Sequence, residues 1–148
     1  MPFVSIDNKK YFYRTAGSPV AGDTAILCVH GSGGDSTVWQ IQEASPGRQK
    51  LILPDLPGHG NSEGAGFAGA REYADWLDHF IAAVNLTDFF LAGFSLGGIV
   101  AQTYALTHPE KIRGLILIST GMRVRIAPEF AALVKHDFAK AVKTSCDN

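Results

Sequence analysis

The chain has 148 residues, a formal net charge of −1, and 46% hydrophobic against 18% charged residues. That length fits one domain able to bury ~70% of the surface its unfolded form exposes. The charge balance, with no basic block, argues against a nucleic-acid or anionic-membrane partner.

In chain order, "FVSI" and "KYFYRTAG" alternate around the turn-like "DNKK", which predicts two short strands or a hairpin over residues 3 to 15. The same N-terminus holds no apolar core of signal-peptide type, and no stretch reaches ~18 consecutive apolar residues. "TAILCVH" (24 to 30) is a continuous apolar run that opens into "GSGG" and predicts a strand. It contains Cys28; the other cysteine, Cys146, lies near the C-terminus. Without C-x-x-C spacing the two read as free thiols in a reducing compartment, so the expected location is cytoplasmic. "STVWQIQEA" then predicts a short helix and "KLILPD" (50 to 55) a further strand ending in "LPGHG". The glycine-rich "EGAGFAGA" (63 to 70) reads as a connector within one domain.

Residues 70 to 85 set Tyr73, Trp76, Leu77, Phe80, Ile81 and Val84 on one stripe, the pattern of an amphipathic helix. "DFFLAG" predicts a strand, "LGGIVAQTYALTH" a helix stopped by Pro109, and "IRGLILIST" a strand. Residues 128 to 143 predict one helix, opened by Pro128, with Phe130, Leu133, Val134 and Phe138 as its apolar face. Strands apolar on both faces, alternating with helices, give the α/β class: a mostly parallel sheet with helices on both faces.

Gly93-Phe94-Ser95-Leu96-Gly97 matches G-x-S-x-G between a predicted strand and a predicted helix. A sharp turn there holds a serine oxygen clear of the sheet, with Gly93 and Gly97 lacking the Cβ atoms that would crowd it. The competing reading is a helix N-terminus whose glycines serve packing alone. His30-Gly31-Ser32-Gly33-Gly34 follows an earlier strand. Acyl transfer develops negative charge on a carbonyl oxygen, which preorganised backbone N–H groups stabilise. One donor would be Ser32 or Gly33 and the other Leu96, with Gly31 allowing close approach. His30 reads as structural. Asp55-Leu56-Pro57-Gly58-His59-Gly60-Asn61-Ser62 reads first as a structural turn, a catalytic Asp55 or His59 being the alternative. "CVHGSGGDS" with Asp55 also imitates a dinucleotide fingerprint, but Ser36 holds its third glycine position and the following helix is short.

"HGSGG", "DLPGHGNS" and "GFSLGG", in this order, resemble the α/β-hydrolase superfamily over residues 3 to 121. The resemblance implies Ser95 as nucleophile, Ser32 and Leu96 as oxyanion-hole positions, and "TAILCVH", "KLILPD", "DFFLAG" and "IRGLILIST" as strands three to six. It implies no metal and no cofactor. It places a cap after the sixth strand, so residues 1 to 121 would be core and 122 to 148 the start of a cap. In this fold the order is Ser, then acid, then His. The family takes the acid from after the seventh strand, less often the sixth, and the histidine from after the eighth. The sixth strand here ends "STGMR", and neither later strand follows before Asn148. The expectation is therefore a fold truncated after its sixth strand, with an incomplete triad. His108 lies ~20 Å along the helix from Ser95 at 1.5 Å per residue, and the adjacent His136 and Asp137 point different ways. The apolar "GLILI" would then need a neighbour, from a missing C-terminal half or another copy of the chain.

The function so implied is a serine hydrolase of carboxylic esters or related acyl compounds, through an acyl-enzyme on Ser95 and with a small acyl substrate. The resemblance makes the turn at Ser95 a nucleophile elbow, and serine there argues against the dehalogenases and epoxide hydrolases of the fold. Esterase, lactonase, thioesterase and C–C bond hydrolase stay open. The alternative is a non-catalytic hydrolase-like fragment that binds a ligand or a partner.

Overall fold

Asp7 and Asn8 both take positive φ, 50° and 62°, as the two central residues of a type I′ turn must. They join β1 (Phe3–Ile6) to β2 (Lys9–Ala16) as antiparallel neighbours in a computed structural model that describes residues 3–19, 22–121 and 127–146. Four more strands follow: β3 (Ala25–Val29), β4 (Lys50–Pro54), β5 (Phe89–Phe94) and β6 (Ile112–Ile118). The sheet order is β1-β2-β4-β3-β5-β6, antiparallel through the β2–β4 pair and parallel from β4 to β6.

The continuous apolar runs have a simple cause, since the central strands are buried on both faces. On one face Leu27, Val29, Ile52, Phe89 and Leu91 pack with residues of α2 (Ala70–Ala83) and α3 (Leu96–Thr107). On the other, Cys28, Leu51, Leu53 and Ala92 pack with Trp39. Trp39 ends a 3-10 turn, Ser36–Trp39, that runs into α1 (Gln40–Ala44). Asp35 caps that turn by accepting the Thr37 N–H at 2.7 Å.

The stripe on α2 is buried at Tyr73, Trp76, Leu77, Phe80 and Ile81, while Val84 packs partly at the helix end. Leu77 and Phe80 are fully buried, and each contributes about 1.5–3 kcal/mol by leaving water. β6 differs from the other parallel strands. Among the described residues it pairs only with β5, and Leu115, Ile116, Leu117 and Ile118 are each at least 36% exposed. The predicted lack of a neighbour for "GLILI" is what these residues show.

One predicted element divides. The helix expected over 128 to 143 is two helices, α4 (Pro128–His136) and α5 (Phe138–Cys146), broken at Asp137 with φ −151° and ψ 80°. Asp137 Oδ1 accepts the Lys140 N–H at 3.0 Å and its carbonyl accepts the Ala141 N–H at 3.0 Å, so it caps a new helix. Of the predicted apolar face, Phe130 and Leu133 are half-buried and Val134 is exposed. The Phe138 side chain, and residues 122–126 at the predicted core-to-cap boundary, lie outside the described residues. No described helix is long and apolar enough to cross a membrane.

Candidate active site

β3 and β5 run parallel with Val29 opposite Gly93, so the two strands end at the same level and their loops meet. At the end of β5 Ser95 takes φ 52°, ψ −118°. This is the first central position of a type II′ turn, a conformation that favours glycine. A serine held there stores strain of order 1–3 kcal/mol. The flanking glycines are required by close approach. A Cβ on Gly93 would stand 2.3 Å from the Gly97 carbonyl oxygen, and one on Gly97 would stand 2.2 Å from that of Val29. The first turn of α3 thus rests directly on the ends of β5 and β3.

The strain is held from β6. Ser95 N–H donates to the Ile118 carbonyl at 3.1 Å, and the Thr120 hydroxyl donates to the Ser95 carbonyl at 2.7 Å. That carbonyl also accepts the Gly98 N–H at 2.9 Å and the Ile99 N–H at 3.3 Å. The half-buried Ser95 Oγ bonds no described residue. Gly31 brings the earlier loop against it, since a Cβ on Gly31 would lie 3.1 Å from Ser95 Cβ and 3.1 Å from the Phe94 ring. The backbone N–H groups of Ser32, Gly33 and Leu96 donate to no described residue.

His30 and Asp55 lie beneath these loops, both buried. His30 Nε2 accepts the Leu56 N–H at 2.9 Å, so Nδ1 carries the proton and donates to the Gly31 carbonyl at 2.8 Å. Burial holds its pKa below the ordinary imidazole value, partly opposed by the Gly31 bond, with His59 adding to the drop. A neutral ring with both nitrogens committed to backbone serves as a brace. Asp55 Oδ1 accepts the Ser36 N–H at 2.7 Å and Oδ2 the Asn61 N–H at 2.8 Å. Its carbonyl accepts the Ser62 hydroxyl at 2.7 Å. One carboxylate thereby ties the loop after β3 to the loop after β4. His59 Nδ1 lies 3.0 Å from the Pro57 carbonyl, and its ring meets His30 edge-on.

The remaining histidines are placed elsewhere, His79 exposed on α2. His108 ends α3, stacked on Tyr104 at 4.6 Å and bonded to the Thr107 hydroxyl, at the opposite end of the helix from Ser95. His136 is exposed at the end of α4. Among the described residues no cluster of His, Cys, Asp or Glu is arranged to hold a metal ion. Burial pushes the Cys28 thiol up to about 12, which leaves it unreactive at neutral pH. The 3-10 turn and five-residue α1 after "GSGGD" leave the dinucleotide fingerprint without the long helix it needs.

Two residues that matter here escaped sequence reasoning. Ser36 counted only as a failed glycine, yet its N–H is the buried donor to Asp55. Thr120 was visible as a hydroxyl at a strand end, but its partner lies 25 positions away.

A family profile described as alpha/beta hydrolase fold matches residues 24–144. The pimeloyl-[acyl-carrier protein] methyl ester esterase of Aeromonas hydrophila subsp. hydrophila is 33% identical over 131 residues, covering 80% of this chain and 50% of that protein. The 2-succinyl-6-hydroxy-2,4-cyclohexadiene-1-carboxylate synthase of Enterobacter sp. (strain 638) is 40% identical over 103 residues, covering 69% of this chain and 39% of that protein. A solved thermophilic esterase from Thermogutta terrifontis superimposes with a TM-score of 0.74 at 27% identity, over 91% of this chain and 53% of its own. The chain spans about half the length, or less, of these relatives.

Proposed function

Because the chain belongs to the α/β-hydrolase fold family, we propose that it carries the nucleophile of a serine hydrolase acting on carboxylic esters or related small acyl compounds. The observation that carries this reading is Ser95 at φ 52°, ψ −118°, where two loops with uncommitted N–H groups meet. Ser95 Oγ attacks the acyl carbonyl and yields its proton to a base. The oxyanion is received by the N–H groups of Leu96 and Ser32, with Gly33 next to Ser32 as a further donor. Collapse expels the alcohol, which takes the proton back from the base, and leaves an acyl-enzyme on Ser95 that water, deprotonated by the same base, then hydrolyses. By the order Ser, acid, His, the base and its orienting carboxylate follow Ser95 in the chain. Gly31, Gly93, Gly97, His30 and Asp55 hold the loops in register.

Residues 1 to 121 are assigned to the hydrolase core and 122 to 148 to the start of a cap, with α4 and α5 as its described helices. One relative is named a methyl ester esterase and another a synthase, so the acyl class is drawn wider than methyl esters. A cytoplasmic setting belongs to the same reading, drawn from two cysteines without C-x-x-C spacing.

A second reading, a non-catalytic fragment that binds a ligand or partner, draws on the absence of a described histidine bonded to Ser95 Oγ. Nitrophenyl ester hydrolysis by the protein and by Ser95→Ala separates the two. The catalytic reading expects Ser95→Ala to lose at least about 10³-fold in rate, together with labelling by a phosphonate probe. Equal rates would establish the second reading instead.

A further inference from the structure

The peptide that joins Ser95 to Leu96 carries two groups pointing opposite ways, because a trans peptide sets C=O and N–H on opposite sides. Its carbonyl faces into the fold, where three donors hold it: Gly98 N–H at 2.9 Å, Ile99 N–H at 3.3 Å and Thr120 Oγ1 at 2.7 Å. Its N–H therefore faces outward from the first turn of α3, uncommitted among the described residues. The two helical donors lie on the same strand-to-helix segment and move with it. Thr120 lies two residues beyond the end of β6 and ties that peptide to a different part of the sheet. Ser119, at φ 46°, turns the chain after Ile118. Ile118, opposite Phe94 in the parallel pair, accepts Ser95 N–H through its carbonyl, and the turn beyond it brings the Thr120 hydroxyl to the Ser95 carbonyl. The contact is also close-packed, since a Cβ on Gly98 would lie 2.4 Å from Thr120 Cγ2.

We propose that Thr120 is a positioning residue for the reaction, fixing the direction of the Leu96 N–H through the Ser95 carbonyl. The inference rests on the nucleophile reading of Ser95. A hydrogen bond to a carbonyl polarises the whole peptide and strengthens the donor at its other end. An oxyanion donor works only when aimed at the tetrahedral oxygen. Thr120 does both without touching substrate.

The test compares the protein with Thr120→Val and Thr120→Ser in nitrophenyl ester hydrolysis. Rates are normalised to sites titrated with a fluorophosphonate, and binding of a boronic acid transition-state analogue is measured alongside. Removing an oxyanion donor outright costs ~10²–10³ in kcat, so misaiming one costs about tenfold. Thr120→Val is expected to lose that factor in kcat per titrated site with KM within about twofold, and to bind the boronate about tenfold more weakly. Thr120→Ser, which keeps the hydroxyl, restores both. Unfolded molecules drop out of the titration, so a purely structural role would leave kcat per site unchanged. A normal kcat per site in Thr120→Val, or a serine variant as impaired as the valine, overturns the inference alone. Equal rates for the unmodified protein and Ser95→Ala would instead sink the nucleophile reading and this inference with it.

Discussion

Asp55→Asn changes almost nothing in size and removes one acceptor from a carboxylate that binds two backbone donors. The asparagine side chain keeps one oxygen and presents an NH2 group where the second oxygen stood. Which donor loses its partner follows from burial: Ser36 is buried and Asn61 is exposed. The amide is therefore expected to turn its oxygen to Ser36 N–H and leave Asn61 N–H to water. A hydrogen bond to a charged group is worth about 1.5–3 kcal/mol. Losing one such bond, and the charge behind the other, should cost about 2–3 kcal/mol. That is a large fraction of the ~5–15 kcal/mol that holds an ordinary domain folded. Asp55→Ala strands the buried Ser36 N–H as well and should cost about 1–3 kcal/mol more. Urea denaturation followed by the fluorescence of buried Trp39 and Trp76 measures both. A loss below ~0.5 kcal/mol in Asp55→Asn, within the range of an ordinary surface change, would refute the account of Asp55 as a tie between loops. Intact stability with abolished hydrolysis would reassign it as a catalytic acid.

Gly97→Ala sets a Cβ 2.2 Å from the Val29 carbonyl oxygen, so α3 or β3 must shift by about 1 Å. The expected outcome is a stability loss of ~1–3 kcal/mol and a rate loss near 10²-fold; a variant hydrolysing esters at the unmodified rate would remove the close-approach argument. Ser95→Gly should be more stable than Ser95→Ala by about 1 kcal/mol in thermal melts, because only glycine relaxes at φ 52°. His30 contributes a pH dependence whose sign follows from its lowered pKa. The unfolded state takes up the proton first, so stability is complete above about pH 6.5 and falls on acidification, by up to ~1.4 kcal/mol per pH unit until the folded ring titrates. Urea midpoints at pH 7.5 and 5.5 should converge in His30→Gln, which lacks that ring.

The strands and α2 were legible because burial on both faces, or on one stripe, writes itself into a local pattern of apolar residues. The residues of the elbow were legible for a related reason: glycine is the residue that close approach demands, and two of them flank Ser95. Asp137 carried a readable signal, an Asp three residues before the Lys140 whose N–H it caps, but the apolar spacing of Phe130, Leu133, Val134 and Phe138 runs across it and favoured one helix. The roles of Ser36 and Thr120 could not be read locally. Each depends on a partner 19 or 25 positions distant, and a hydroxyl or a backbone N–H gives no sign of which distant group it will meet. The split of tasks between Asp55 and the groups around Ser95 is likewise a matter of where β3, β4 and β5 end in space.

The tie between the elbow and β6 also bears on the order in which the polypeptide acquires structure as it is made. β3 sits between β4 and β5, both later in the chain, so the centre of the sheet waits for its neighbours to leave the ribosome. The hairpin of β1 and β2 needs only its own turn and can form first. The strained backbone of Ser95 is pinned by Ile118 and Thr120, some twenty-five residues downstream. Until those residues emerge, the segment around Ser95 has every reason to stay in a relaxed conformation. The geometry at Ser95 is thus set late in synthesis of this stretch, after the helix that follows it has already been made.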